Sequence, residues 1–162
     1  MQLVLFGVVF VLICFAFVVL FGAPYVPTLS PQVKTALDLI DLKKGQTLLE
    51  LGSGDGRVLR AAAQRGLLAI GYELNPLLVV YSRLTTWKYR KQVRIVWGNF
   101  WNVQLPECDG VFVFLLDRYM RRLDQKITKQ ARGKTKLVSF AFEIPGKRYA
   151  KRRGGLFLYL YD

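Results

Sequence analysis

The chain contains no histidine. That removes the side chain that titrates nearest neutral pH, and with it the commonest general base, most nucleophilic triads and most zinc sites. Cysteine is nearly absent too. Cys14 lies in an apolar run and Cys108 far along the chain in an expected loop, so no disulfide is expected and a reducing compartment fits. Acids are few, with 11 Asp and Glu against 24 Lys and Arg, for a net charge of +13. Internal repeats and low-complexity segments are lacking, and 162 residues leave room for one domain and not two.

What is present divides unevenly. Between positions 118 and 162 stand 13 basic residues and 3 acidic ones. Such an excess suits an anionic membrane surface or a nucleic acid, and equally a plain solvated surface. At the other end, residues 3–21 form an unbroken apolar run without a charge. At about 1.5 Å per residue the run comes close to the roughly 30 Å hydrocarbon core. A transmembrane helix is therefore expected, with residues 1–22 as an anchor contacting lipid through 3–21. A cleaved signal peptide fits less well. No basic stretch precedes the run, the run is too long, and Gly22-Ala23-Pro24 is a poor cleavage site. A buried core helix fits least, because no polar face marks a solvent side. The basic excess beyond the run places the rest of the chain in the cytoplasm, as a single-pass membrane protein.

Residues 23–30 read as a linker punctuated by Pro24 and Pro27, and the domain proper as 31–162. Ser30-Pro31 reads as an N-cap and first helical position, and Val33, Ala36, Leu37 and Ile40 give the helix its apolar face. Strands are expected over 47–51, 68–72, 93–97, 110–115, 137–142 and 156–161, with a short basic strand near 147–151. Helices are expected over 57–64, from Pro76 to about 89, and around Met120, Leu123 and Ile127. This alternation predicts βαβ units and a mostly parallel sheet buried on both faces. Between 142 and 156 there is no room for a full helix, so the last strands should form a hairpin at one edge.

The most informative stretch is Glu50-Leu51-Gly52-Ser53-Gly54-Asp55-Gly56-Arg57, followed by Gly71-Tyr72-Glu73-Leu74-Asn75-Pro76. An apolar strand ends in an acid, then comes a turn with glycine at every second position, then a helix. A second strand ends in a second acid, about 20 residues past the first glycine, as in ribose-gripping folds. Glycines let backbone N–H groups approach a nucleotide-like ligand, and Glu73 can hold both ribose hydroxyls. The spacing G-x-G-x-G, in place of G-x-G-x-x-G, favours S-adenosylmethionine over a dinucleotide.

These motifs resemble those of class I S-adenosylmethionine-dependent methyltransferases. Together with Ser82-Arg83, Asn99-Phe100-Trp101 and the Tyr25-Val26-Pro27-Thr28 linker, they resemble the membrane-associated protein-lysine methyltransferases of the adenine nucleotide translocase and the ATP synthase c-subunit. The resemblance covers roughly residues 24–162. It implies a Rossmann-like class I methyltransferase sheet, S-adenosylmethionine as cofactor, and lysine in a membrane protein as substrate. Cofactor-binding residues are then Glu50, Gly52, Ser53, Gly54, Gly56, Glu73, Leu74, Asn99 and Phe100. Asn99 stands where aspartate is usual, and its side-chain oxygen can still accept from an adenine amino group. Tyr25 and Thr28 are candidates for a flap over the reaction centre, or simply linker. Asp117, after the fourth strand, is a candidate for orienting the substrate amine, or a helix N-cap. Two other readings remain open: methylation of RNA or a small molecule, and a non-catalytic adaptor docked on anionic lipid. RNA matches the charge, but the Asn-Pro-Pro-Tyr motif of amino-group nucleic-acid methyltransferases is absent. The adaptor reading leaves the intact glycines and both acids without a role.

Overall fold

The computed structural model describes residues 2, 4–9, 12 and 26–162. Residues 4–9 are helical and exposed. Among the described residues no helix is long and apolar enough to cross a membrane. Most of the expected span over 3–21 lies outside the described residues, as does Tyr25.

Seven strands make one sheet: β1 (Thr47–Leu51), β2 (Leu68–Glu73), β3 (Val93–Trp97), β4 (Gly110–Val113), β5 (Thr135–Phe140), β6 (Lys151–Arg153) and β7 (Leu156–Tyr161). Their spatial order is β3-β2-β1-β4-β5-β7-β6. The first five are parallel, and β7 runs antiparallel between β5 and β6. The expected edge hairpin is thus present, with its second strand on the inside. Gly154 and Gly155, at φ 54° and 75°, make its two-residue turn, a geometry that needs positive φ at both positions.

Beyond residue 26 the α-helices are α1 (Ser30–Ile40), α2 (Arg57–Gln64), α3 (Pro76–Thr85) and α4 (Asp117–Gln130). Side-chain alternation along the strands splits the core in two. Leu48, Ala69, Ile95, Phe112, Val138, Leu156 and Leu158 face α1, α2 and the inner side of α3. Leu49, Leu51, Val111, Val113, Leu137 and Tyr159 face α4, whose Met120, Leu123 and Ile127 are all buried. The result is an α/β/α sandwich with a mixed sheet.

Several boundaries shift from those expected, each for a local reason. The N-cap of α1 is Leu29, with Ser30 already helical. The third helix ends at Thr85 and gives way to a 3-10 turn at Trp87–Tyr89. There Thr85 Oγ1 and Thr86 Oγ1 donate to Ser82 O at 3.1 and 2.7 Å, competing with the helix for that carbonyl. The fifth strand stops at Phe140 because Ala141 takes φ 71°. Asp117 is not the N-cap of α4. Leu116 holds that position without a side-chain bond, and Asp117 is the first helical residue, where its charge complements the helix dipole.

Candidate cofactor site

Strand order reverses between β1 and β4, and the cleft at their carboxyl ends is where open α/β sheets take ligands. A cavity open to solvent occupies that place. The glycine loop forms its floor. Gly52 N–H and Ser53 N–H both donate to Tyr72 O at 2.9 Å, which ties the loop to the end of β2. Gly52, Gly54 and Gly56 all have positive φ, which side chains with a Cβ rarely adopt.

Glu73 closes the loop from the other side. Its Oε2 accepts from Gly54 N–H and its Oε1 from Asn75 N–H, both at 2.8 Å. Each carboxylate oxygen keeps a further lone pair, so two vicinal hydroxyls can still be held. Burial raises the Glu73 carboxyl above its ordinary range, against the pull of the Asn75, Gly54 and Leu74 N–H groups. Glu50 is pushed well up, by burial first and then by the charges of Asp55 and Glu73. Asp55 lies lower than usual: its bonds to Arg57 outweigh its burial.

Of the residues expected to bind cofactor, Glu50, Gly52, Ser53, Gly54, Glu73, Leu74, Asn99 and Phe100 line this one cavity. Gly56 lies behind it as the N-cap of α2, where a Cβ would meet Ser82 Cβ and Thr86 Cγ2 at 3.1 Å. Asn99 Oδ1 accepts from Trp101 N–H at 3.0 Å, capping the 3-10 turn at Phe100–Asn102, and its amide N–H₂ remains a donor. Thr28 lines the cavity, and its carbonyl accepts from Arg57 Nη1 at 3.0 Å. Asp117 is exposed and does not line the cavity.

The structure adds members that motif reading passed over. Asp55 and Arg57 clamp each other with Oδ2 and Nη2 2.8 Å apart, and Arg57 thereby pins the segment before α1 to the glycine loop. The signal was present as the D-x-R pair after Gly54. Phe114 and Tyr119, with Trp101, form an aromatic wall for which the sequence has no marker, since it comes from two separate loops and α4. The Trp101 and Tyr119 rings sit 5.9 Å apart, and Arg122 and Arg118 stack over them at 4.4 and 4.8 Å. Gly71 is the other omission. A Cβ there would meet Leu59 Cδ1 at 2.5 Å and Ser53 Cβ at 2.6 Å, so glycine alone lets the loop lean on β2.

The cavity wants a ligand. Glu50 Oε2 and Ser53 Oγ are buried beside it without any hydrogen-bond partner, which few native polar atoms are. An acid at one end suits an amino group, paired acceptors in the middle suit ribose, and Asn99 with Phe100 suits adenine. The donor set fits S-adenosylmethionine. Among the described residues no group of three or more Cys, Asp or Glu is placed to hold a metal ion.

The family model of the ANTKMT methyltransferase domain matches residues 50–151. The chain belongs to that family. A relative in this family, the ATP synthase c-subunit lysine N-methyltransferase of Xenopus laevis, is 34% identical over 124 residues, which are 75% of this chain and 54% of that protein. This chain therefore spans about half the length of that relative. The protein-lysine N-methyltransferase of Saccharolobus islandicus is 32% identical over 127 residues, covering 76% of this chain and 79% of that one. A solved structure described as an RNA methyltransferase from Salinibacter ruber in complex with S-adenosyl-L-homocysteine superposes with a TM-score of 0.77 at 28% identity. It covers 84% of this chain and 92% of that one.

Proposed function

We propose that this chain is an S-adenosylmethionine-dependent protein-lysine N-methyltransferase that acts on a membrane protein from a single N-terminal span over residues 3–21, with its domain in the cytoplasm. One observation carries the catalytic part. The cavity couples a cofactor cradle, made by Glu73 and the glycine loop, to an aromatic wall made by Trp101, Phe114 and Tyr119. The lysine part is supported by the names of the relatives in Xenopus and Saccharolobus.

When bound, S-adenosylmethionine supplies an electrophilic methyl group on a sulfonium. The chain's residues have two tasks. Glu73, Gly54 and Asn99 would hold and orient the cofactor, and orientation of this kind removes a large part of such a barrier. The aromatic wall receives the apolar stem of a lysine and strips its amine of water. Desolvation lowers a lysine pKa, and the guanidinium groups of Arg118 and Arg122 behind Tyr119 and Trp101 act in the same direction. The amine then enters neutral and nucleophilic, having left its proton in solvent. No histidine is needed for such a step.

Incubating the purified chain and deuterated cofactor with membranes from cells lacking it, then mapping label by mass spectrometry, tests the proposal. Label on lysine in a membrane protein is the expected result. Label in RNA, which the Salinibacter description makes the main competitor, would overturn it. Deleting residues 1–22 should leave cofactor affinity unchanged and lower methylation in native membranes. Resistance to carbonate extraction, with protection from external protease in right-side-out vesicles, tests the span and its orientation.

A further inference from the structure

The outer side of α3 is as apolar as its inner side. Leu77, Val80, Tyr81 and Leu84 recur at i, i+3, i+4 and i+7 and so share one face. That face is not covered: Val80 is 57% exposed, Tyr81 53% and Leu84 69%. Two tryptophans extend it at either end. Trp87 follows the helix at 64% exposure, and Trp97, at the end of edge strand β3, is 63% exposed and donates its Nε1–H to Leu74 O at 3.1 Å. Single exposed apolar residues are ordinary on a soluble domain, but a contiguous strip of five marks a contact surface.

Charge says what it contacts. The segment from 74 to 106 holds no acid at all, and its five cations are Arg83, Lys88, Arg90, Lys91 and Arg94. Four of them belong to the turn and strand that flank the strip, and Arg90 lies over the Trp87 ring at 5.1 Å. Aliphatic residues in the middle, tryptophan and tyrosine around them and cations at the rim are the composition of an element lying in a membrane interface. RNA would match the cations and rings but would leave Val80 and Leu84 against a polyanion. We propose that the outer face of α3, with Trp87 and Trp97, docks the domain flat on an anionic lipid surface. Leu74 and Leu78 of the same region line the cofactor cavity, so docking would set the cavity mouth beside the bilayer, where a membrane-protein lysine lies. The proposal deepens the membrane-substrate reading and rests on it for its setting. Its test reads contact and not methylation, so the two fail separately.

The full chain is placed on vesicles of phosphatidylcholine alone, or with a third phosphatidylglycerol, carrying brominated acyl chains that quench nearby indoles. The expected result is strong quenching on the anionic vesicles, at least twofold weaker on the neutral ones. The quenching should fall at least twofold in Val80→Asp/Leu84→Asp and in Trp87→Phe/Trp97→Phe. The aspartates sit on exposed positions outside the cavity, so S-adenosylhomocysteine affinity and melting temperature serve as the folding control. Quenching that is absent, equal on neutral vesicles or unchanged in the aspartate variant would overturn the proposal. So would RNA binding that the aspartates abolish, or a crosslink from Leu84→Cys to residues 3–21, which would show the strip to be covered by the chain itself.

Discussion

Gly71→Ala is the sharpest probe of how the glycine loop is held, because Gly71 does not line the cavity. Its backbone is ordinary strand, so alanine adds no dihedral strain, and relief of glycine's unfolded-state entropy returns about 0.5–1 kcal/mol. The loss comes from contact. The new methyl would lie 2.5 Å from Leu59 Cδ1, 2.6 Å from Ser53 Cβ and 2.7 Å from Ser53 Oγ. Carbon contacts are comfortable near about 3.5 Å, so roughly 0.8–1 Å must be found. Leu59 is fully buried in the core, and Ser53 is tethered by its N–H to Tyr72 O. Overpacking of this size costs about 1–3 kcal/mol, so after the entropy gain the net loss is about 0–2.5 kcal/mol, or at most about 10 °C of melting temperature. The functional effect should be larger, because the yielding part is the loop that carries Gly52 and Gly54. Affinity for S-adenosylhomocysteine should fall at least tenfold by calorimetry. Adding Ser53→Gly removes two of the three clashing atoms, Cβ and Oγ, and leaves Leu59 Cδ1, so the double variant should recover part of the affinity and of the melting temperature. The coupling in that cycle should exceed about 0.5 kcal/mol. An unchanged affinity in Gly71→Ala, or no rescue by Ser53→Gly, would refute the claim that this contact sets the loop.

Three further outcomes follow from the site and its surroundings. Glu50→Gln should melt higher than the parent without cofactor at pH 7. The parent's buried carboxyl is raised, so its stability is intact below the ordinary value of 4.5 and erodes as pH rises above it; the variant's advantage must therefore vanish in melts taken down to that pH. Ala141→Gly should melt about 2–4 °C higher by calorimetry, since left-handed alanine costs about 1–2 kcal/mol and glycine forfeits only part of that; an equal or lower melt would contradict it. Tyr119→Ala should leave cofactor affinity unchanged and slow methyl transfer to lysine roughly tenfold, about 1.4 kcal/mol of barrier, whereas a parallel loss of affinity would move Tyr119 to the cofactor side.

Most of the sheet was legible in the sequence because the information is local. Strands β1, β3 and β7 coincide with their expected ranges, as apolar runs bounded by turn residues. The glycine loop and Glu73 were legible for the same reason: positive φ and a strand-end acid leave fixed spacings. The ends of α3 and β5 were not, because Thr85, Thr86 and Ala141 carry no strong boundary signal until their partners are in place.

By itself the sequence determined the α/β class, the parallel core of the sheet and the pair of motifs that meet at the cavity. These follow from periodicity and turn chemistry, which act between near neighbours. Only the tertiary structure decided that β7 inserts beside β5, that Arg57 reaches back to Thr28, and that Trp101, Phe114 and Tyr119 share a wall. It alone decided which apolar face of α3 is buried. Both faces read alike in sequence, and the sheet can cover one; the other, Val80, Tyr81 and Leu84, is left to solvent or to lipid.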